Sequence, residues 1–329
     1  MRNDLPTQAR EPRDGTRFTA MTARLLRDRW PARLLACLVL AVIYFISARL
    51  GLELAFVSPY ATAVWPPTGL AIAALLLLGY GLWPGIALGA FLINVTMGGS
   101  LIIGAGIAVG NTLEALAAAY LITIYAHGRR AFERPQDVFR FVVLAALAST
   151  TISASVGVTT LGLTGAAAWS DVGPIWLTWW LGDAAGALVV APLLVVWGTR
   201  SAGSWHHGRL AEAGALLLTL TLTSLAVFGG MLSRSLRHFA IAFLVVPVLI
   251  WAGFRFGPRV AETAIFLLSV IAIRGTLRGF GPFAVGTPNA SLLQVQVFLG
   301  VMAVMTLVLT AAVLDRERAE ERIRAADRW

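Results

Sequence analysis

The sequence predicts an all-α, polytopic transmembrane helical bundle of eight to ten spans, with both termini in the cytoplasm. Three observations predict it. Of 329 residues, 58% are hydrophobic and 13% charged, against about 45–50% apolar and about 25% charged in soluble domains. The charges gather at the ends, 12 in residues 1–33 and 10 in residues 315–329, which leaves 21 for the 281 residues between. That interior divides into ten apolar runs, most of them near the about 20 residues that a spanning helix needs. A soluble globular enzyme, a secreted disulfide scaffold and a disordered tail protein are all excluded.

Residues 1–33 carry 8 arginines against 4 acids, a bias that holds a segment in the cytoplasm. The first run, 34–54, contains the single cysteine, Cys37, so neither a disulfide nor a thiolate metal site is available. With further runs downstream, this one reads as an uncleaved signal-anchor. The next runs are 64–80, 83–97, 101–126 and 138–163. Arg129, Arg130 and Arg134 mark the connection before 138–163 as cytoplasmic, whereas 164–173 has no arginine and falls outside. Run 174–197 returns to Arg200 and Arg209, and 211–232, 238–254, 258–274 and 292–314 complete the ten. Runs 83–97, 238–254 and 258–274 are short, and merging them gives eight. Arg234, Arg237, Arg274 and Arg278 fall on the outer side, against the usual bias, but any even count leaves both termini on one side. The expected division is a cytoplasmic Arg-rich segment (1–33), an integral-membrane domain (34–314) and the start of a cytoplasmic helix (315–329).

Ionisable groups in mid-membrane cost several kcal/mol and mark functional sites. Glu114 lies mid-way along the fourth run with Asn111 one turn earlier on the same face. Asp183 lies nine residues after Pro174, about 13 Å into its helix. With Asn94 they form an expected ligand- or proton-binding cluster. The alternative is hydrogen bonding between helices. Gly182 and Gly186 are four apart, which lets backbones approach closely. Trp65, Pro66, Pro67, Thr68 and Gly69 open the second run, and Pro-Pro fixes the entry angle of the chain. Trp65 and Trp180 line an outward pocket above Asp183 on one reading and belong to an interfacial belt on the other. Arg49 with Glu53, and Arg259 with Glu262, have the spacing of local ion pairs. His206 and His207 lack carboxylate or cysteine partners at ligand spacing, so no metal is expected. No nucleophile–base pair is evident, so neither catalytic residues nor a cofactor are expected.

The tail from Asp315 to Trp329 balances 5 arginines against 5 acids. It reads as a helix leaving the membrane, with Ala319, Ile323 and Ala326 as a thin apolar stripe. Gly79-Tyr80-Gly81-Leu82-Trp83-Pro84 echoes Gly253-Phe254-Arg255-Phe256-Gly257-Pro258 in its glycine, aromatic and proline positions, which reads either as duplicated helix pairs, as in transporters, or as coincidence in a membrane chain rich in glycine and proline.

Five segments occur in an order that resembles a known family: VWPPTGLAIAALLLLGYGLWPGIALGAFLINV (64–95), GNTLEALAAAYL (110–121), WWLGDAAGALVVAPLL (179–194), RFGPR (255–259) and GPF (281–283). The set resembles the first type of bacterial membrane-associated sensor domain, an input module fused to histidine kinases, diguanylate cyclases or phosphodiesterases. The resemblance covers about residues 34–317 and implies a sensor in the bacterial inner membrane that regulates a cytoplasmic output through its C-terminal helix. It makes Trp65, Pro66, Pro67, Gly69, Asn111, Glu114, Gly182 and Asp183 motif positions and supplies no ligand. The expected partners are the lipid bilayer, a small ligand of unspecified chemistry and an output domain in cis or in trans; a homodimer is one expected arrangement, and nucleic acid is not a partner. The other reading is a small-molecule transporter.

Overall fold

A computed structural model describes Thr22 and residues 29–53, 64–98, 100–199, 207–231 and 239–327. Most of the Arg-rich segment, together with Arg200, His206, Arg234, Arg237 and Trp329, lies outside the described residues, as do the side chains of Glu53 and His207. The described chain is all-helical, with ten principal helices and no strand. They are α1 (Trp30–Glu53), α2 (Pro66–Leu78), α3 (Trp83–Thr96), α4 (Leu101–Tyr125) and α5 (Pro135–Leu163). After them come α6 (Val172–Thr199), α7 (His207–Phe228), α8 (Val246–Phe256), α9 (Pro258–Leu277) and α10 (Pro288–Ala326). Each corresponds to one of the ten apolar runs.

Seven of these helices are long and apolar enough to cross a membrane. The lengths correct two expectations. Run 258–274 is a full span of 20 residues in α9, whereas run 64–80 contains only the 13 residues of α2. At 1.5 Å per residue α2 is about 20 Å long, less than the about 30 Å hydrocarbon core. Such a helix is tolerated where protein encloses it, and residues Pro67–Leu76 are buried except Leu70. Pro66 and Pro67 start it because their missing N–H groups fall where a helix has no internal partner for them. Gly79 ends it at φ 106°, a left-handed conformation that glycine adopts freely.

Small residues set the packing. A Cβ on Gly69 would lie 2.6 Å from Val190 Cβ and 2.7 Å from the Ala191 backbone nitrogen, so α2 and α6 touch backbone to backbone. Gly85 and Gly89 let α3 meet α1 at Cys37 and Tyr44 in the same way. Helix α6 is the hub: it packs on α2, α5, α9 and α10. On α4 the buried residues Ile103, Ile107, Asn111, Glu114, Ala118 and Ile122 recur at helical spacing and face inward. On α1, Leu35, Leu38, Val39, Val42, Ile46 and Leu50 are exposed, as expected of a lipid-facing surface.

Helix α5 contains a π-helical stretch, Val142–Ser149. Such widened turns are rare and concentrate at functional sites. Helix α10 runs 39 residues without a break, about 58 Å, so it extends well past a bilayer core and carries the charged tail with it. Along the tail, Arg316 pairs with Glu320 at 2.9 Å and Arg324 with Glu320 at 3.6 Å.

Two local expectations fail. The glycine-aromatic echo is not a structural repeat, because Gly79 breaks the chain between helices whereas its counterpart Gly253 lies inside α8; the turn falls at Gly257, φ 77°. Arg259 and Glu262 do not pair. The Arg259 guanidinium sits 5.0 Å over the Trp197 ring, and Glu262 is fully buried with neither carboxyl oxygen hydrogen-bonded. Attraction to an aromatic face competes with an ion pair for one guanidinium. Arg49 donates to Met97 Sδ at 2.7 Å.

Candidate functional site

The site begins where the chain enters α2. Trp65 is extended (φ −102°, ψ 89°), and its backbone N–H donates to the Gly182 carbonyl of α6 at 2.9 Å. One turn later the Thr68 hydroxyl donates to Asp183 Oδ1 at 3.0 Å. The start of α2 is thereby fastened to successive residues of α6. A Cβ on Gly186 would strike the Trp65 carbonyl, so this close approach requires glycine there.

Asp183 is fully buried, and its Oδ2 has no hydrogen-bond partner. Glu114, from α4, is 1% exposed and neither of its oxygens is bonded. The two acids are close enough to act on each other electrostatically, and the Thr68 and Ser153 hydroxyls stand close to both. Asn111 bridges two further helices. Its Nδ2 donates to the Tyr44 hydroxyl of α1 at 3.1 Å, and its Oδ1 accepts from Ser153 Oγ of α5 at 2.6 Å. The Trp65 indole is close to the same Tyr44 hydroxyl. Five helices, α1, α2, α4, α5 and α6, thus converge on one buried polar cluster.

Of the residues expected from the sequence, Glu114, Asp183, Asn111, Trp65, Pro66, Pro67, Gly69, Gly182 and Gly186 are together at this junction. Asn94 is not. It is half-buried on α3 and donates to the Ala90 carbonyl of its own helix at 2.8 Å. Trp180 also points elsewhere: its indole N–H donates to the Leu147 carbonyl of α5 at 2.9 Å, and its ring stacks on Trp176 at 5.6 Å. Its neighbour Trp179 stands beside Asp183 instead, in space left by Gly157, where a Cβ would lie 2.6 Å from the indole. Tyr44, Thr68 and Ser153 also escaped sequence reading. Thr68 was visible only as part of the Trp-Pro-Pro-Thr-Gly segment.

The far end of α2 is also held. Arg129, in the connection after α4, donates from Nε to the Leu76 carbonyl at 2.7 Å and from a terminal nitrogen to the Leu77 carbonyl at 2.6 Å. A helix C-terminus leaves its last carbonyls without internal donors, and a guanidinium satisfies two of them. Burial holds Arg129 below the ordinary arginine range. The connection is itself folded: His127 Nδ1 and Asp137 Oδ2 are 2.9 Å apart, and Arg140 donates to Asp137 at 3.0 Å. Four residues after Arg129, Glu133 pairs with Arg318 of α10 at 2.9 Å. A bonded path therefore leads from Asp183 through Thr68, α2, Arg129 and Glu133 to the outgoing helix.

Chemically, two neighbouring carboxyl groups ringed by hydroxyl and amide groups suit a proton or a small hydrogen-bonding or cationic group. No set of three residues able to hold a metal ion occurs among the described residues.

Helices that converge on buried acids, with one helix running out of the bundle, make a polytopic helical membrane module. The MASE1 family model, a membrane-associated sensor domain, matches residues 24–317, and the chain belongs to that family. The chain is 25% identical over 301 residues to a probable diguanylate cyclase, DgcE, of Escherichia coli K12, covering 88% of this chain and 26% of that protein. It therefore spans about a quarter of the length of that relative. No solved structure matches the chain.

Proposed function

We propose that this chain is the input domain of a bacterial signalling protein. It detects a small-molecule or membrane cue at Glu114 and Asp183 and passes the change through α10 to a cytoplasmic output. That output, joined in cis or met in trans, is of the histidine kinase or cyclic-di-GMP enzyme type, and the chain itself performs no catalysis. The protein lies in the inner membrane with both termini in the cytoplasm. Residues 1–33 orient it, 34–314 sense and 315–329 begin the signalling helix.

The observation that carries this reading is the double attachment of α2. A change in charge or occupancy at the acids alters the Thr68–Asp183 hydrogen bond, which holds one end of a short helix seated on a glycine-lined surface of α6. The other end is joined by Arg129 to the loop that holds Arg318. A displacement of α2 is thus transmitted to the tail, and two arrangements of this linkage form a population that a cue shifts.

Charge reversal tests the linkage in a fusion of the tail to a cyclase or kinase reporter. Glu133→Arg and Arg318→Glu each replace an attraction with a repulsion. A partly exposed pair is worth about 0.2–1 kcal/mol, so each change is expected to shift output by about 1.4- to fivefold. The double exchange restores the pair and the output. Unchanged output in the single variants, or no recovery in the exchange, removes the linkage from the account.

A further inference from the structure

Glu262 lies outside the acid cluster and takes no part in the linkage through α2. It stands on α9 four residues after Pro258, about 6 Å into the helix. A Cβ on Gly253 would meet Leu309 and Thr310 of α10, so the turn from α8 into α9 sits where the output helix leaves the apolar core. Trp197 of α6 reaches the same level, its indole N–H donating to the Thr263 hydroxyl at 3.3 Å. Asp183 lies fourteen residues back along α6 from Trp197, about 21 Å away.

Glu262 has no exposed surface, and both its carboxyl oxygens lack a hydrogen-bond partner. The helices packed on α9 are α6, α7, α8 and α10. The one titratable residue of α6 is Asp183, and the charges of α10 all follow Leu314. Helix α7 has His207, Arg209 and Glu212 in its first six residues. Arg255 of α8 is held by Glu212 through bonds of 2.8 and 2.9 Å. Among the described residues no charge stands close enough to Glu262 to act on it electrostatically. A small molecule has no room against a carboxyl without exposed atoms, and no metal-binding set of three residues occurs among the described residues. A proton needs no room, and it removes a charge that is costly to bury unpaired.

Arg259 supplies a second arrangement. It precedes Glu262 by three residues on α9, a spacing at which side chains meet. Its guanidinium lies over the Trp197 ring instead, held loosely: its Nε has no hydrogen-bond partner, and a terminal nitrogen reaches the Trp197 carbonyl only at 3.5 Å. An ionised Glu262 therefore finds a counter-charge by the turning of two side chains on one helix.

We propose that Glu262 is a proton-binding site separate from Glu114 and Asp183, and that Arg259 is the partner of its ionised form. With the proton bound, Glu262 sits in the core and Arg259 covers Trp197. When the proton passes to water, the carboxylate accepts from the Arg259 guanidinium, which leaves the ring. The contact between α6 and α9 beside the exit of α10 then depends on proton concentration.

Infrared spectroscopy of the full chain in nanodiscs tests this, because a protonated carboxyl absorbs apart from a carboxylate. Exposed carboxyls are ionised above about pH 6, so a protonated band above that pH belongs to buried acids. Comparison with Glu262→Gln separates Glu262 from Glu114 and Asp183. The expected result is a component that is absent from Glu262→Gln and fades as pH rises. Arg259→Gln removes the cation that favours the ionised form, so Glu262 should keep its proton to a higher pH. The fading should move to a proton concentration at least about tenfold lower, the effect of an opposite charge within about 4–6 Å. Arg259→Lys should fade near the unmodified chain. If Glu262→Gln does not fold, Glu262→Asp moves the band in frequency and makes the same assignment. A protonated band kept whole in Glu262→Gln, or an unmoved titration in folded Arg259→Gln, would overturn the proposal.

Discussion

Gly186→Ala is expected to destabilise the bundle by about 3 kcal/mol or more, the upper part of the range for overpacking. The added methyl would strike the Trp65 carbonyl oxygen and lie 2.8 Å from its carbon. These are backbone atoms and cannot rotate away. Nor is the segment free to retreat, because the Trp65 N–H is bonded to Gly182 and Pro66-Pro67 restrict the backbone that follows. Separation of α2 from α6 also breaks the Thr68–Asp183 bond and leaves a buried carboxyl without a donor, a further cost of about 1–3 kcal/mol. Thermal unfolding of the purified protein in detergent reads the sum. Gly214→Ala provides the comparison. A Cβ there meets nothing within 4 Å, and alanine is the better helix former by about 1 kcal/mol. That variant should be neutral or stabilising, and equal melting of the two variants contradicts the close approach of α2 to α6.

The second large effect is expected on signalling. Asp183→Asn keeps the size of the side chain and removes the acid that holds Thr68. A hydrogen bond contributes about 0.5–1.5 kcal/mol, so its weakening should change reporter output by about two- to tenfold. Glu114→Gln should act in the same direction with a smaller shift, because neither Glu114 oxygen is hydrogen-bonded and its influence on the cluster is electrostatic. Asn94→Ala should leave output unchanged, since Asn94 bonds only within its own helix. Protein level and melting temperature are followed in parallel, to separate signalling from stability. If both acid variants signal normally at normal protein levels, the acids are structural and the input lies elsewhere.

All ten helices were legible from apolar length, because a bilayer demands long runs without charge. The faces of those helices were not. Core and lipid are both apolar, so α6 carries no amphipathic signal, and adjacent tryptophans on one helix point about 100° apart. Hence one of the two readings of Trp180 puts it over Asp183, where Trp179 stands. Glu114, Asn111 and Asp183 were legible because polar groups at depth are costly and conspicuous. Thr68, Ser153 and Tyr44 were not, since a hydroxyl on a membrane helix commonly bonds its own preceding turn, as Thr112 does to Ala108 at 2.6 Å. Spacing alone misled for Arg259 and Glu262, where the Trp197 ring on another helix outcompeted the local partner. The same limit hid Glu262 as a buried acid with neither carboxyl oxygen hydrogen-bonded.

The central claim is that the acid site and the tail communicate through α2. A double-mutant cycle in the reporter fusion tests it, with Thr68→Val to cut the bond at Asp183 and Glu133→Gln to cut the bond at Arg318. Coupled sites depart from additivity by about 0.5–3 kcal/mol. The account predicts that Thr68→Val shifts output in the otherwise unmodified fusion and has little further effect once Glu133→Gln is present. An equal shift by Thr68→Val in both backgrounds would contradict it.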